Sequence, residues 1–177
     1  KRLGQALREA ETSGSETKSA VHAIWLLMMT GCRLGEIQTL KWEHIDFEQG
    51  EFRLPDSKSG AKVVHVGSAI IERLKKIEKM EDNPYVIYGK KPGAYLTDLQ
   101  HPWRRIRTAA KIEDVRIHDL RHSYASGGLM VGEGLPMIGK LLGHTQVQTT
   151  ARYAHLASDP VKSAAEKISE RIAEAVS

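Results

Sequence analysis

A single block of alternating apolar and polar residues, 44–67, lies between long segments that have helical periodicity. It reads HIDFEQGEFRLPDSKSGAKVVHVG, and the turn sequences EQG and DSKSG divide it into three parts. Alternation with a period of two is typical of half-buried strands, and short turns containing glycine join antiparallel neighbours. The block therefore predicts three short antiparallel strands, which need helices packed on their apolar face.

Apolar residues at helical spacing occur on both sides of this block. Gly31 is expected to end the helix that begins at residue 18, with Ser15 as its N-cap, and Thr97 or Asp98 is expected to cap a basic helix. No linker stands out, so we expect one domain over residues 1–177, an α+β fold that is mostly helical with a small three-stranded antiparallel sheet. The predicted helices cover 2–10, 18–30, 34–40, 68–79, 97–111, 118–130, 135–142, 146–154 and 159–176.

The overall composition excludes several classes of protein. A chain of 177 residues that is 41% hydrophobic and 27% charged suits a globular domain with a real core. The apolar run at 23–29 is too short to cross a bilayer, and no signal peptide is visible. Because Cys32 is the single cysteine, an internal disulfide framework and a multi-cysteine zinc site are excluded. We therefore expect a cytoplasmic protein without a membrane partner.

Positive charge is concentrated in two regions of the chain. The net charge is +4, from 26 Lys and Arg against 22 Asp and Glu, but residues 53–79 and residues 90–121 each carry about +4. Two basic regions on a mildly acidic body suggest a polyanionic partner such as DNA, although a solvated basic surface explains the pattern equally well. The basic helix over 97–111 is the candidate DNA-contacting element, through Arg104, Arg105 and Arg107.

The stretch IHDLRHSYAS at 117–126 has two chemical interpretations. In the first, His118 and His122 form an i, i+4 pair like that of the zinc peptidases, with a third ligand such as Glu133 or His144. However, Asp119 is shorter than the glutamate that acts on the metal-bound water in those enzymes. Arg121 would also place a fixed cation beside the metal, so zinc is disfavoured and a zinc hydrolase stays an alternative.

In the second interpretation the same helix binds a phosphate. His118 and Arg121, three residues apart, lie on one face, and a guanidinium offers parallel N–H donors that match two phosphate oxygens. Arg33 would serve the same need, with Glu36 three residues later to hold its guanidinium. Each of these residues alone is more often a surface or ion-paired residue, so the inference depends on their combination.

The segment LLGHTQVQTTARYAHL at 141–156 adds two further candidates. His144 follows Gly143 at a corner between helices, and Tyr153 lies nine residues later. A phenol with a pKa of about 10 is a poor nucleophile at neutral pH, but neighbouring cations favour the phenolate. A tyrosine among arginine and histidine residues therefore suits covalent attack on phosphorus. The alternative for both residues is half-buried packing.

Taken together, these motifs resemble the catalytic domain of tyrosine recombinases, the phage integrase family. The resemblance rests on TGCRLGEI, DSKSGAK, IHDLRHSYAS, LLGH and TTARYAHL, and it spans nearly all of residues 1–177. It implies no metal and no nucleotide cofactor, and Glu36 and Asp119 as supporting residues. Family members typically add an N-terminal DNA-clamping domain, so we expect this chain to be the catalytic fragment of a larger integrase. The implied catalytic residues are Arg33, Lys58, His118, Arg121, His144 and Tyr153.

The resemblance also implies a reaction and its partners. Tyr153 would attack the scissile phosphate of double-stranded DNA at a specific attachment site, giving a 3′-phosphotyrosyl link, and strands would then exchange through a Holliday junction. The arginine and histidine residues would bind the phosphate, and Lys58 would protonate the leaving 5′-oxygen, with Lys62 as its competitor. We expect a monomer in isolation and a homotetramer on DNA, in a bacterial or phage-encoded system associated with the nucleoid.

Several alternatives stay open at this stage. A type IB topoisomerase shares the tyrosine chemistry, and a DNA-binding module without activity is the alternative that is not an enzyme. His122 is expected to have a structural role, and the glycines at 127–128 predict a kink or a close helix contact. The amphipathic helix over 159–176 is expected to pack either on its own domain or on a neighbouring protomer.

Overall fold

The computed structural model describes residues 1–56, 60–144, 147–154 and 160–176, with the side chains of 147 and 160–163 left out. The predicted fold class is confirmed, because the described residues are mostly helical and form one small three-stranded antiparallel sheet. None of the helices in these ranges is long and apolar enough to span a bilayer. The helices are α1 (Arg2–Ser13), α2 (Lys18–Thr30), α3 (Leu34–Gln38), α4 (Ser68–Lys75), α5 (Gln100–Ala109), α6 (Asp119–Met130), α7 (Leu135–Leu142), α8 (Val147–Ala151) and α9 (Pro160–Val176).

The sheet consists of β1 (Ile45–Asp46), β2 (Glu51–Leu54) and β3 (Lys62–His65), in that order and antiparallel throughout. Phe52 on β2 lies opposite Ile45 on one side and Val64 on the other, and all three side chains are buried. The intervening positions face outward, as the alternating sequence predicts. Lys58, in the segment between β2 and β3, lies outside the described residues.

Helix α2 is the centre of the core. It contacts α1, α3, α4, α5 and α6, and most of its residues are buried, the polar Ser19, His22 and Thr30 among them. Each fully buried Ile or Leu side chain of this kind stabilises the fold by about 1.5–3 kcal/mol. A second, smaller cluster joins α6, α7 and the segment after α8, and its buried members are Ala125, Ile138, Leu142 and Tyr153.

Two glycines control how α2, α6 and α7 approach one another. Gly31 ends α2 in the left-handed conformation (φ 64°), as predicted, and a Cβ there would lie 2.6 Å from Cδ1 of Tyr124 on α6. A Cβ on Gly128 would overlap Cδ1 of Ile138 on α7. The prediction of a close helix contact at the glycine pair is therefore confirmed, and Gly128 makes it.

The start of α2 differs from the sequence prediction, whereas α5 uses one of its two expected capping residues. Ser15 was the expected N-cap of α2, but the Thr17 hydroxyl accepts the Ala20 N–H instead, at 3.3 Å. The prediction of Ser15 as the cap is wrong because α2 begins only at Lys18. A capping oxygen must reach the second or third amide of the helix, and Thr17 is the residue placed to do so. For α5 the Asp98 carboxylate accepts the N–H of Gln100 at 3.0 Å.

Helix α9 forms over the predicted range, and residues 164–176 are exposed. Its apolar stripe is open to solvent, with Ile168 at 60% and Ile172 at 57% exposure. Packing on the chain's own domain is thus not seen for these side chains, and docking on a neighbouring protomer stays a prediction.

Candidate active site

Arg33 lies at the junction between α2 and α3, where Glu36 holds it at two points. The Glu36 carboxylate accepts the Arg33 backbone N–H at 2.8 Å and its Nη1 at 2.9 Å. Lys62 Nζ lies 2.8 Å from the same carboxylate, which is buried. Burial alone would raise the pKa of Glu36, but the hydrogen bonds from Lys62 and Arg33 outweigh it and lower the pKa. Glu36 is therefore an anion shared by two cations.

Lys62 links three parts of the site. It begins β3, reaches Glu36 on α3, and its Cδ lies 3.3 Å from where a Cβ on Gly143 would be, at the end of α7. Only 12% of its side chain is exposed. Because Lys58 lies outside the described residues, its role as the acid for the leaving oxygen stays a prediction, and Lys62 stays its competitor.

Arg121 is held by the ends of two helices. Its Nη1 donates to the Gly31 carbonyl at 2.5 Å and its Nη2 to the Leu142 carbonyl at 2.7 Å. Both acceptors belong to the C-terminal ends of α2 and α7, where carbonyls lack helical partners and the helix dipole is negative. Burial, followed by the charge of Arg33, lowers the pKa of Arg121. The guanidinium is therefore buried, oriented and close enough to Arg33 to feel its charge.

His144 follows the left-handed Gly143 that ends α7 (φ 67°), and its ring is held by a threonine. Nδ1 of His144 lies 2.8 Å from Oγ1 of Thr150, a buried residue of α8. Burial first, and then the charges of Arg121 and Arg33, lower the pKa of His144 to about 4. The ring is thus neutral at physiological pH, and if Nδ1 accepts from Thr150, Nε2 carries a proton and is a hydrogen-bond donor.

His118 immediately precedes α6 and lies one helical turn from Arg121. Burial, followed by the neighbouring His122 and Arg121, lowers its pKa. The predicted supporting residue Asp119 binds Arg116, accepting its backbone N–H at 2.8 Å and its Nη2 at 2.9 Å. Asp119 therefore fixes the turn that leads into α6. The carboxylate supports His118 and Arg121 indirectly, by holding the backbone that precedes them.

Tyr153 is buried, and its hydroxyl points to α6. Its Oη lies 2.6 Å from Nδ1 of His122, and its ring packs in the cluster with Ile138 and Leu142. Burial raises the pKa of Tyr153, while the charges of Arg152 and Arg121 act in the opposite direction. The hydroxyl of the candidate nucleophile therefore contacts α6, the helix that carries Arg121.

His122 and Thr150 are the contacts that sequence reasoning did not identify. His122 was expected to have only a structural role, yet it is the partner of the Tyr153 hydroxyl, 31 residues away. Its ring also lies edge-on to that of His118, with centroids 5.2 Å apart. The i, i+4 spacing of the two histidines was visible, but the tyrosine partner has no local signal. Among the described residues, no three His, Cys, Asp or Glu side chains are grouped as a metal site requires.

The three arginines predicted to contact DNA fall on different sides of α5. Arg104 and Arg107 line an open cavity of about 440 Å³ that also reaches His118, and Arg107 Nη1 donates to the Val115 carbonyl at 3.0 Å. Arg105 instead binds Glu16, with Nη2 2.8 Å from Oε2. The cavity beside His118 is basic, because Arg116 lines it as well.

Comparison with known proteins identifies the family. Residues 1–159 match the family model described as "Phage integrase family". The chain belongs to the phage integrase family. The shufflon-specific DNA recombinase of Escherichia coli is 30% identical over 132 residues, which are 74% of this chain and 33% of that protein.

Two solved structures share the fold at lower identity. The XerH site-specific recombinase, in a post-cleavage complex with its palindromic difH substrate, has a TM-score of 0.70 at 22% identity, over 93% of this chain and 50% of that one. The catalytic domain of bacteriophage HP1 integrase has a TM-score of 0.69 at 23% identity, over 93% and 90%. The chain therefore spans a third of the shufflon recombinase and half of XerH, but nearly all of an integrase catalytic domain.

Proposed function

We propose that this chain is the catalytic unit of a site-specific tyrosine recombinase that breaks and rejoins double-stranded DNA. The observation that carries the proposal is the hydrogen bond between Oη of Tyr153 and Nδ1 of His122, which are 2.6 Å apart. His122 follows Arg121 on α6, so this bond brings the tyrosine hydroxyl to the helix that carries the arginine. The buried guanidinium of Arg121 is close enough to Tyr153, His118 and His144 to act electrostatically on all three. Phosphoryl transfer chiefly needs positioning and charge neutralisation, which these groups supply.

In the first step, the scissile phosphate lies between Arg33 and Arg121, which bind its non-bridging oxygens. His144 donates to the phosphate through Nε2, and His118 acts beside it. Oη of Tyr153 attacks phosphorus, the bond from phosphorus to the 5′-oxygen breaks, and Lys58 gives that oxygen its proton. The products are a 3′-phosphotyrosyl link and a free 5′-hydroxyl.

In the second step, the 5′-hydroxyl of a partner strand attacks the phosphotyrosyl link and releases Tyr153. The energy of the phosphodiester is kept in the covalent link, so rejoining requires no cofactor in this scheme. Repeating the exchange on the second pair of strands resolves a Holliday junction. We propose that it takes place at specific attachment sites, in a homotetramer assembled on DNA from chains that are monomeric alone, in the cytoplasm.

Two observations support double-stranded DNA as the substrate: the positive charge beside the site and the similarity to known recombinases. The basic cavity beside His118, lined by Arg104, Arg107 and Arg116, continues from the phosphate site and would follow the DNA backbone. XerH, which shares the fold, is seen bound to its difH substrate after cleavage. Membership of the phage integrase family favours strand exchange over the relaxation that a type IB topoisomerase carries out. Arg105, already bound to Glu16, is a weaker candidate for a DNA contact than Arg104.

Covalent trapping tests this proposal. The chain is incubated with nicked suicide duplexes whose cores are randomised, and adducts that resist denaturing detergent are collected and sequenced. We expect the unaltered chain and the control Tyr124→Phe, which changes a tyrosine of α6, to form adducts, and Tyr153→Phe to form none. Adducts from Tyr153→Phe would refute the assignment of the nucleophile, and loss of adducts in a chelator would favour the metal-dependent alternative.

A further inference from the structure

The hydrogen bond between Tyr153 and His122 is short and enclosed. Oη and Nδ1 are 2.6 Å apart, at the short end of the range for hydrogen bonds, and the tyrosine is 5% exposed. The two ring centroids are 5.7 Å apart. Water therefore has little access to the phenol, and the imidazole is the group that a departing proton meets first.

Attack on phosphorus requires the phenol to lose its proton, and burial makes that harder because it raises the pKa of Tyr153. Lys62 is ion-paired with the Glu36 carboxylate, and the guanidinium groups of Arg33 and Arg121 have no site that accepts a proton. His144 directs its Nδ1 to Thr150, and with a pKa of about 4 it is a weak base. His118 lies edge-on to the ring of His122. Among the described residues, His122 is the basic group in contact with the phenol.

With Tyr153 as the nucleophile proposed above, we propose that His122 is a further catalytic residue, which accepts the tyrosine proton on DNA cleavage and returns it on rejoining. In cleavage, the bond from Oη to phosphorus forms as the proton passes from Oη to Nδ1, and the bond to the 5′-oxygen breaks. That oxygen takes its proton from a separate acid. In rejoining, the attacking 5′-hydroxyl gives its proton back to that acid as its oxygen bonds to phosphorus. The bond from phosphorus to Oη breaks, and the imidazolium of His122 protonates the departing phenolate.

The surroundings of the pair favour reversible transfer. Within the part of the chain that the structure describes, the titratable and charged groups that act on the pair are His118, Asp119 and Arg121 from α6, and Arg152 from the segment after α8. The Asp119 carboxylate helps to balance the charge that His122 gains, whereas Arg121 and Arg152 favour the phenolate after the proton has left. For Nδ1 to accept, the proton of the neutral ring must be on Nε2.

Variants of His122 separate proton transfer from simple positioning. Asparagine places an oxygen near the position of Nδ1, so His122→Asn can accept the hydrogen bond but cannot take the proton. We expect adduct formation in a single turnover to fall by about 100-fold or more at pH 7. The residual rate should rise about tenfold per pH unit, because the phenol must then ionise alone. The matched control is His65→Asn, an exposed histidine on β3.

A rate for His122→Asn within a few-fold of the unaltered chain, with the same dependence on pH, would overturn the proposal and leave His122 as a positioning residue. Absence of adducts with the unaltered chain would refute the proposed function instead. An independent measurement covers that case: nitrogen NMR of the unaltered chain reports the tautomer of His122. A neutral ring with its proton on Nε2, and an Nδ1 signal that shifts in Tyr153→Phe, supports the proposal. A neutral ring with its proton on Nδ1 overturns it.

Discussion

Replacing Glu36 by glutamine tests whether one buried carboxylate organises the basic site. In the native chain this carboxylate accepts hydrogen bonds from Arg33 and Lys62 at 2.8–2.9 Å, and 5% of the Glu36 side chain is exposed. Glutamine keeps the shape and one acceptor oxygen but leaves two cations without their counter-ion. Removing one partner of a buried pair costs about 3–5 kcal/mol. Because glutamine still accepts a hydrogen bond, we expect Glu36→Gln to lose about 2–4 kcal/mol in the free energy of unfolding.

Urea unfolding followed by circular dichroism measures this loss, and a double-mutant cycle tests its origin. Lys62→Met removes one of the two cations, so Glu36→Gln with Lys62→Met should be less destabilised than the sum of the single changes by about 1 kcal/mol or more. A loss below about 0.5 kcal/mol for Glu36→Gln, or strictly additive changes, would refute the reasoning.

The same carboxylate predicts a pH dependence with a definite sign. The pKa of Glu36 is lower in the folded chain than the ordinary value of 4.5. Its contribution to stability is therefore fully present above about pH 4.5 and is lost as the pH falls through the folded pKa. The difference in stability between the native chain and Glu36→Gln should accordingly shrink below pH 4.5, and a difference that stays constant there would contradict the linkage.

Two further predictions concern the residues that hold Arg121 and His144. Gly31→Ala should cost about 2–4 kcal/mol, because alanine at φ 64° is strained and its Cβ would lie 2.6 Å from Tyr124. Gly127→Ala is its control, since space is open there, and it should be neutral or stabilising by thermal melting; equal losses would contradict this account. Thr150→Val should cost about 1–3 kcal/mol and slow adduct formation, because His144 Nδ1 loses its partner at 2.8 Å. Unchanged rates, measured beside Thr149→Val, would show that the threonine does not orient the histidine.

Periodicity in the sequence was enough to predict the architecture. The alternating block became the three strands, and the helical segments were found within a few residues of their ends. The ends were less predictable, because a cap depends on which amide a short side chain reaches. Ser15 and Thr17 are both suitable cap residues, and only the start of α2 at Lys18 distinguishes them.

The candidate catalytic residues follow from motifs, but the contacts that orient them do not. Arg121 binds the carbonyls of Gly31 and Leu142, at separations of 90 and 21 residues. Such bonds depend on the places where two helices end in space, which no local pattern specifies. The bond between His122 and Tyr153 is of the same kind: a spacing of four residues suggested a metal pair, whereas the fold gives that histidine a tyrosine partner.

The most direct test is to find where DNA becomes attached to this chain. Adducts from the suicide duplexes are digested with protease and nuclease, and the modified peptide is sequenced by mass spectrometry. We predict that a nucleotide is joined through its 3′-phosphate to Tyr153, and that no other residue is modified. Attachment through a different side chain, or through a 5′-phosphate, would contradict the proposed mechanism.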